Sequence, residues 1–472
     1  MLSPKRNIIT SNNLFSQSNF NAGIFFCLSL VLFSLLLTNQ VIVILTCSIL
    51  ICSLLYQIYG KKVILFLIIV GYISLPSDFF GSIRIYINVF LTGILVLLFI
   101  KEFGFNFITY PKLPKSVNYF ILALFITLSI SSIFSDKTGL GFFTIITMLA
   151  FFLICYIFFS FLKDEKNIYL YIYSIITAVI FLSIRIFLDL FSLGIQNFLI
   201  RSLLKDKIEL YSSNLYTGSV IFFISLTFSV AMLIMNKFKT KTSKTLFSFF
   251  FGLNILILIL ANSRGLIIAA LVSSSFILFV YKRKSFLKIF FIIVLFSLLI
   301  VFSIPEIEST VNQYTRTGTT HREVFWEAGV EIMFDNILTG IGPQSFVNYF
   351  YSYAPSSIFS IKEWKEGSHT PHNFFLYYAA ENGILGFLIG INLFILFFYL
   401  AFKTMKLSRN IKHYFILSTA ITGIGIGFFI RSFVEVTGFL YYGFITTDLP
   451  FWLIFGILIF LYQKLNVIDI NT

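Results

Sequence analysis

Apolar runs of roughly 17 to 25 residues recur along almost the whole chain, and short polar segments separate them. Each run is long enough to cross a hydrocarbon core about 30 Å thick. Because lipid offers the backbone no hydrogen-bond partner, a run of this kind must form a helix. The pattern predicts fourteen membrane-spanning helices, at residues 22–38, 41–59, 63–80, 85–103, 117–134, 142–162, 168–193, 215–235, 246–261, 264–281, 286–304, 372–400, 411–430 and 437–462.

The composition argues against a soluble protein. The chain is 58% hydrophobic and 11% charged, whereas soluble domains carry about 25% charged residues. We therefore predict an all-α fold, a polytopic transmembrane helix bundle of about 12 to 14 spans with one large, partly helical periplasmic loop. The predicted parts are a bundle of about eleven spans, the periplasmic loop with short helices, and about three C-terminal spans, at residues 1–304, 305–371 and 372–472.

Lysine residues orient the predicted helices. With a cytoplasmic N-terminus, 22 of the 34 basic residues fall on cytoplasmic segments, in agreement with the positive-inside rule. The net charge of +14 is then explained by contact with membrane lipid, which argues against nucleic acid as a partner. The outer segments favour arginine, whose planar fork binds phosphate oxygens in a bidentate manner. The outer arginines are Arg84, Arg201, Arg264, Arg316, Arg322 and Arg431.

Four predicted helices begin at the outer face with a basic residue in the first turn. Folding alone prefers an acid there, because the helix dipole disfavours a cation by about 0.3–1 kcal/mol. Two of these starts have capping signals: Thr320 with Glu323 forms a capping box, and Thr370 precedes a proline that suits the first helical position. An anion would offset the penalty, since a helix N-terminus already favours phosphate. The basic residues are Arg84, Arg264, Arg322 and His372.

The long outer loop carries further signals. The helix that begins at the capping box has one face that we expect to pack and a separate acidic stripe that we expect to be solvated. The packing face comprises Trp326, Gly329, Val330 and Met333, and the stripe comprises Glu323, Glu327 and Glu331. Further along, Gly340 to Pro343 predict a tight turn that returns the loop toward the membrane.

Histidine is the side chain best suited to accept a proton near neutral pH, and His372 lies at the predicted membrane surface beside cationic residues. His369, three residues earlier in the loop, ranks below it as a candidate. Glu381 follows His372 by nine residues, which places it on the opposite side of a helix. We expect Glu381 to pack or to cap polar groups. The four cysteines lie inside apolar runs, and their spacing predicts neither a metal site nor a disulfide.

Five short motifs follow one another in a distinctive order across about residues 215–400. They are NSRG at 262–265, REVFW at 322–326, LTGIGPQSF at 338–346, HNFFL at 372–376 and ENGILG at 381–386. In this order, with a large outer loop between the spans, the chain resembles the O-antigen ligase and O-antigen polymerase superfamily of bacterial membrane glycosyltransferases.

The resemblance implies a glycan donor linked to undecaprenyl pyrophosphate and an active site on the periplasmic face of the bacterial inner (cytoplasmic) membrane. It also implies an inverting displacement that needs no metal and no cofactor. Carried over by position, Arg264 and Arg322 bind the pyrophosphate, and His372 assists attack by the acceptor hydroxyl. We expect the other outer-face cations Arg84, Arg316 and His369 to contact pyrophosphate or glycan. Two alternative interpretations stay open. Arginine on the outer segments can reflect AT-rich codon bias and chance, and the basic residues at the helix starts can be ordinary interfacial side chains that extend to water.

Two reactions remain open within the family. A polymerase moves the growing chain to an acceptor glycan on the next lipid-linked repeat, whereas a ligase moves the finished polymer to lipid A-core. The predicted span count favours the polymerase, for which a chain-length regulator protein is a further partner to consider. A transporter or flippase is the alternative from another class, with Arg185, Asp189 and Glu435 as candidate deep charges. A scaffolding protein would not need arginines at helix N-termini.

Overall fold

A computed structural model of the protein describes residues 55–58, 60–74, 83–105, 110–193, 220–235, 241–260, 264–281, 322–354 and 370–470. Within these ranges the regular structure is helical, with no strand. The helices are α1 (Lys61–Ser74), α2 (Ile83–Phe103), α3 (Lys115–Ile133), α4 (Thr138–Ser160), α5 (Glu165–Leu193), α6 (Val220–Met235), α7 (Lys241–Leu260), α8 (Arg264–Tyr281), α9 (Arg322–Asp335), α10 (Phe346–Tyr353), α11 (Phe374–Leu407), α12 (Lys412–Ser432) and α13 (Ile445–Ile470).

Seven of the described helices are long and apolar enough to cross a membrane: α2, α3, α4, α5, α11, α12 and α13. The helices α6, α7 and α8 contain shorter apolar stretches at predicted spans. This confirms the all-α polytopic bundle. The predicted spans 22–38 and 286–304, and all of 41–59 except residues 55–58, lie outside the described residues, as do parts of 305–371. The number of spans and the division into three parts therefore stay predictions.

Glycines on α12 let α8 pack very closely against it. A side-chain carbon at Gly423 would lie 2.7 Å from the backbone oxygen of Ser273, and one at Gly427 would collide with the Ser273 hydroxyl. Small residues four apart allow this kind of close helix contact in membranes. The contact continues to the end of both helices, where the same construction at Gly265 reaches Val434 at 3.2 Å. The first turn of α8 is thereby held beside the chain that leaves α12.

One end of the bundle gathers the lysines of the predicted cytoplasmic segments, and we call it the lysine-rich end. Lys61 and Lys163 both bind Glu102, at 2.7 and 2.8 Å, and Lys464 binds Glu165 at 3.1 Å. Partly exposed pairs of this kind add little stability. They do show that segments assigned to one membrane face by charge lie together in space. The opposite end, called the site end, comprises residues 134–137, 336–346, 370–373 and 433–444.

The last predicted span begins in the wrong place. The pattern predicts a helix over 437–462, but α13 begins at Ile445, and residues 433–444 form an irregular segment that we call the site-end loop. Positive φ angles at Gly438, Tyr442 and Gly443 interrupt any helix there. The free backbone N–H groups donate instead to a buried carboxylate, because Asp448 accepts from Gly438 and Tyr441 at 3.3 and 2.5 Å. The first residues of the predicted span therefore form a hydrogen-bonded loop, although their apolar composition resembles that of a membrane-spanning helix.

The packing face predicted for α9 is also partly wrong, whereas its acidic stripe is confirmed. Glu323, Glu327 and Glu331 are exposed. Gly329 is buried as expected, but Val330 is exposed, and Trp326 and Met333 are half-buried. The helix is turned so that a neighbouring set of side chains faces the bundle. The buried residues of α9 are Phe325, Ala328, Gly329 and Ile332.

Candidate functional site

Arg322 is the first described residue of α9, in agreement with its predicted place in the first turn, and the predicted cap Thr320 and His321 lie outside the described residues. Its Nη1 donates a 2.8 Å hydrogen bond to the backbone oxygen of Val434 in the site-end loop. A guanidinium has five N–H donors arranged as a rigid fork. The bond to Val434 therefore fixes the arginine while using one donor, and the side chain remains partly exposed.

His372 is not in the first turn of a helix, contrary to the prediction. The N-cap is Asn373, whose side-chain oxygen accepts from the backbone N–H of Leu376 at 3.1 Å, so α11 begins at Phe374. Asparagine is a stronger cap than threonine. His372 itself adopts φ 44°, a left-handed conformation that few non-glycine residues take. The resulting bend carries its side chain, one-third exposed, toward the site-end loop.

Glu435 of the site-end loop is the partner of His372. Its Oε1 lies 3.5 Å from His372 Nδ1, longer than a well-formed hydrogen bond but close enough for an ion pair. Burial alone would raise the pKa of Glu435. The imidazole of His372, with Arg431 and Arg322 nearby, more than compensates and lowers that pKa to about 2. Ionised Glu435 therefore adds to the free energy of unfolding at pH values above the ordinary carboxyl pKa. This contribution is lost as the pH falls toward 2.

Arg264 is the first residue of α8, as predicted, but its side chain lies outside the described part of the structure. Its backbone position is informative. The next residue, Gly265, packs on Val434, the residue whose carbonyl accepts from Arg322 and whose neighbour Glu435 meets His372. The two residues 434–435 thus touch the starts of α8 and α9 and the turn before α11. Three of the predicted site residues converge on this short segment.

Arg431, one of the predicted outer-face arginines, has a structural role in the site-end loop. It is 3% exposed, and its guanidinium donates to both the backbone and the side-chain oxygen of Thr437. A side-chain carbon at Gly438 would lie 2.9 Å from its Nη1. Arg431 therefore holds the site-end loop in place through Thr437. Its positive charge also helps to keep Glu435 ionised.

Other predicted site residues are not brought to this cluster by the described structure. Arg84 is the second residue of α2, as expected, but its side chain is not described, and the main packing partners of α2 are α1 and α4. Arg201, Arg316 and His369 lie outside the described residues, as do the side chains of Arg185 and Asp189. Among the described residues, no three His, Cys, Asp or Glu side chains lie close enough to hold a metal ion.

Glu435 was misread from the sequence as a deep membrane charge, whereas it lies at the site end. One signal could have identified it. It is the only acidic residue between Glu381 and Asp448, and it follows Arg431 by one helical turn at the end of a predicted span. An isolated acid in that position suggests a specific partner, because an unpaired buried charge is very costly.

An apolar cleft of about 950 Å³ lies between α9, α11 and α12, and its lining includes Asn373, the residue after His372. Its lining includes Asn373, Trp326 and Phe375 together with Phe394, Ile395 and Phe398. The helix α11 is interrupted at Gly383, and the rings of Phe375 and Phe394, before and after the break, lie 5.9 Å apart. Ile395 is 60% exposed, so the cleft opens sideways from the bundle. The Trp326 indole N–H is buried without a hydrogen-bond partner among the described residues.

Residues 247–391 match the protein family described as O-antigen ligase. The matched region contains Arg264, Arg322 and His372, together with the turn at 340–343 and Glu381. No curated protein sequence matches the chain. The family match supports the resemblance to the O-antigen ligase and polymerase superfamily, and the seven apolar helices indicate a multi-pass membrane protein.

Proposed function

We propose, from the family match as premise, that this protein is an O-antigen or surface polysaccharide polymerase. It transfers glycan from an undecaprenyl-pyrophosphate carrier to an acceptor sugar hydroxyl at the periplasmic face of the inner membrane, without a metal ion. The observation that carries the proposal is that Trp326, Asn373 and Phe433, which lie close in the chain to Arg322, His372 and Glu435, line an apolar cleft. A lipid-linked glycan needs both parts, because its reacting centre is polar and its anchor is a hydrocarbon.

His372 is the general base of the proposed reaction. With Nδ1 facing Glu435, Nε2 is the nitrogen that takes the proton from the acceptor hydroxyl. The hydroxyl oxygen attacks the anomeric carbon while the bond from that carbon to the pyrophosphate oxygen breaks, which inverts the configuration. The carboxylate of Glu435 stabilises the imidazolium that forms, as the carboxylate of a catalytic triad does. The proton ends on His372 and the bonding electrons end on the departing pyrophosphate.

Arginine side chains neutralise the charge that develops on the leaving group. Arg322 and Arg264 are the first residues of α9 and α8, whose terminal N–H groups also favour phosphate. Donors fixed before the reaction begins stabilise developing charge better than water does, because they need no reorganisation. The hydrogen bond from Arg322 to Val434 supplies that fixation.

Blocking the cleft should weaken binding of the lipid anchor. Ala379 lines the cleft, and Ala379→Trp would fill it without adding charge. We expect the KM for a long-chain polyprenyl donor to rise about 10-fold or more, from the loss of roughly 1.4 kcal/mol or more of apolar contact. A donor with a short, soluble prenyl chain should show an unchanged KM. Steady-state kinetics in liposomes measures both values.

The matched control for the cleft is Leu388→Trp on the same helix, since Leu388 is 52% exposed and does not line the cleft. It should leave both donors unaffected. An equal rise in KM for both variants, or for both donors with Ala379→Trp, would contradict the assignment of the cleft to the lipid anchor.

The choice between polymerase and ligase is tested by the glycan ladder of a deletion strain. A lost polymerase should leave single repeat units on lipid A-core, because ligation continues without elongation. A lost ligase should instead leave long polymer on the carrier lipid. The ligase is the second candidate because the matching family is described by that activity, whereas the predicted span count favours the polymerase. Long polymer on the carrier after deletion would overturn the polymerase assignment.

A further inference from the structure

Glu381 is a fully buried acidic residue in the first part of α11, before the break at Gly383, and the proposed reaction does not use it. Its carboxylate accepts three hydrogen bonds. The backbone N–H groups of Gln344 and Phe346 donate at 2.8 and 2.9 Å, and the phenol of Tyr442 donates to the same oxygen as Gln344. A carboxylate offers about four acceptor sites, so this arrangement satisfies it and offsets the cost of burying the group.

The three donors and their acceptor belong to the three elements that form the site. Gln344 and Phe346 end the segment 336–346, which continues directly from α9 and its Arg322. Tyr442 lies in the site-end loop, which carries Glu435. Glu381 itself lies on α11, two helical turns after the cap that follows His372. One carboxylate therefore connects the chain segments that hold the proposed base, its carboxylate partner and the phosphate-binding arginine.

The helix α11 is broken at Gly383, two residues after Glu381, and the break accommodates the segment from α9. Gly383 takes φ 65° and ψ −159°, which interrupts the helical hydrogen bonds. The carbonyls of Ala380 and Glu381 accept from Ile341 and Gly342 instead, at 3.1 and 2.8 Å. Ile384 donates to the carbonyl of residue 337 at 2.7 Å.

The approach between this segment and α11 requires glycine on both sides. A side-chain carbon at Gly383 would lie 2.5 Å from the Leu338 carbonyl oxygen, and one at Gly340 would collide with the Glu381 backbone. The segment 336–346 is thus joined to α11 by backbone and carboxylate together.

We propose that Glu381 is a positioning residue for glycan transfer. It fixes the spacing between His372, Glu435 and Arg322 by holding their three chain segments against one carboxylate. The catalytic consequence rests on the proposed function. The mechanical part rests on the hydrogen bonds alone, and it predicts that loss of the carboxylate loosens segments 340–346 and 433–444 together.

The test variant is Glu381→Gln, which keeps the size of the side chain. The amide has one acceptor oxygen and a donor NH2 group, so at least one of the three donors loses its partner. We expect kcat to fall about 10- to 100-fold, which is no more than the whole contribution of a positioned general base. The KM for the donor should change less than 3-fold. We also expect the pH profile of kcat to be displaced in the same direction as with Glu435→Gln.

Two further variants separate positioning from general damage. Tyr442→Phe removes the hydrogen bond from the site-end loop to Glu381, together with the 3.0 Å bond that the Tyr442 hydroxyl accepts from the Asn382 amide. It should displace the pH profile in the same direction by a smaller amount. Ser131→Ala removes a 2.7 Å hydrogen bond to the backbone oxygen of the same Glu381 and should leave the profile unchanged. If Glu381→Gln does not fold, the Tyr442→Phe result decides the question. An unshifted profile in that variant contradicts the positioning role.

Hydrogen exchange gives a readout that does not depend on activity. Peptides covering 340–346 and 433–444 should exchange faster in Glu381→Gln than in the wild-type protein. The proposal would be overturned if both segments exchanged at the same rate in the variant as in the wild type. Faster exchange with an unchanged kcat and pH profile would also overturn it, since the segments would then move without catalytic effect. If the wild-type protein transfers no glycan, the proposed function fails instead, and the exchange rates alone show whether Glu381 joins the segments.

Discussion

Replacing His372 with alanine is expected to lower the rate of glycan transfer by about 10²- to 10⁴-fold, the usual contribution of a general base. The protein should still insert and bind the lipid-linked donor, because the arginines and the cleft are untouched. The pKa of Glu435 is held near 2, so this carboxylate stays ionised over the working pH range. Elongation of lipid-linked repeats in proteoliposomes measures the rate.

The matched control is His413→Ala, because His413 lies at the lysine-rich end beside Glu165. It should retain wild-type activity. The double variant of His372→Ala with Glu435→Gln should be no slower than His372→Ala alone, since the carboxylate acts through the ring. Polymer of wild-type length from His372→Ala would remove His372 from the mechanism.

Replacing Arg322 with alanine is expected to reduce kcat by about 10²- to 10³-fold, the cost of removing one prearranged donor from developing charge. Lysine at this position should restore only part of the activity, because an ammonium cannot donate both to Val434 and in a bidentate manner to phosphate. Arg264→Ala should act in the same direction. Single-turnover rates with saturating lipid-linked donor isolate this effect from binding.

Arg409→Ala provides the control for loss of positive charge, because Arg409 is exposed at the lysine-rich end. Its activity should be unchanged. The amount of folded Arg322→Ala protein must be checked, since an unpaired carbonyl at Val434 costs about 1–3 kcal/mol where it is buried. Full activity in Arg322→Lys would contradict bidentate binding, and full activity in Arg322→Ala would contradict a role for Arg322 in transfer.

Much of the bundle could be predicted because hydrophobic length and helix capping are local properties of the chain. The starts of α8 and α9 at Arg264 and Arg322 follow from such signals. The site-end loop could not be recognised in this way. Residues 437–444 are apolar, and hydropathy does not register the positive φ angles or the carboxylate of Asp448 that keep them from forming a helix.

The candidate site likewise combines residues that have a local sequence signal with contacts that depend on the tertiary fold. Arg322 and His372 stand next to local signals in their own segments, so the sequence could single them out. The contact of His372 with Glu435 joins distant parts of the chain, and no periodicity encodes it. For Glu381 the sequence predicted packing or capping of polar groups, which the structure confirms. Its partners on two other segments depend on how the helices pack.

The sideways opening of the cleft has a kinetic consequence for any lipid that occupies it. Because Ile395 and Phe433 of the cleft lining are exposed on the exterior of the bundle, such a lipid arrives by lateral diffusion within one leaflet and departs the same way. Its encounter rate then depends on its mole fraction in the bilayer. Adding inert phospholipid to a fixed amount of enzyme and carrier therefore dilutes the reactants, even though their bulk concentrations stay constant.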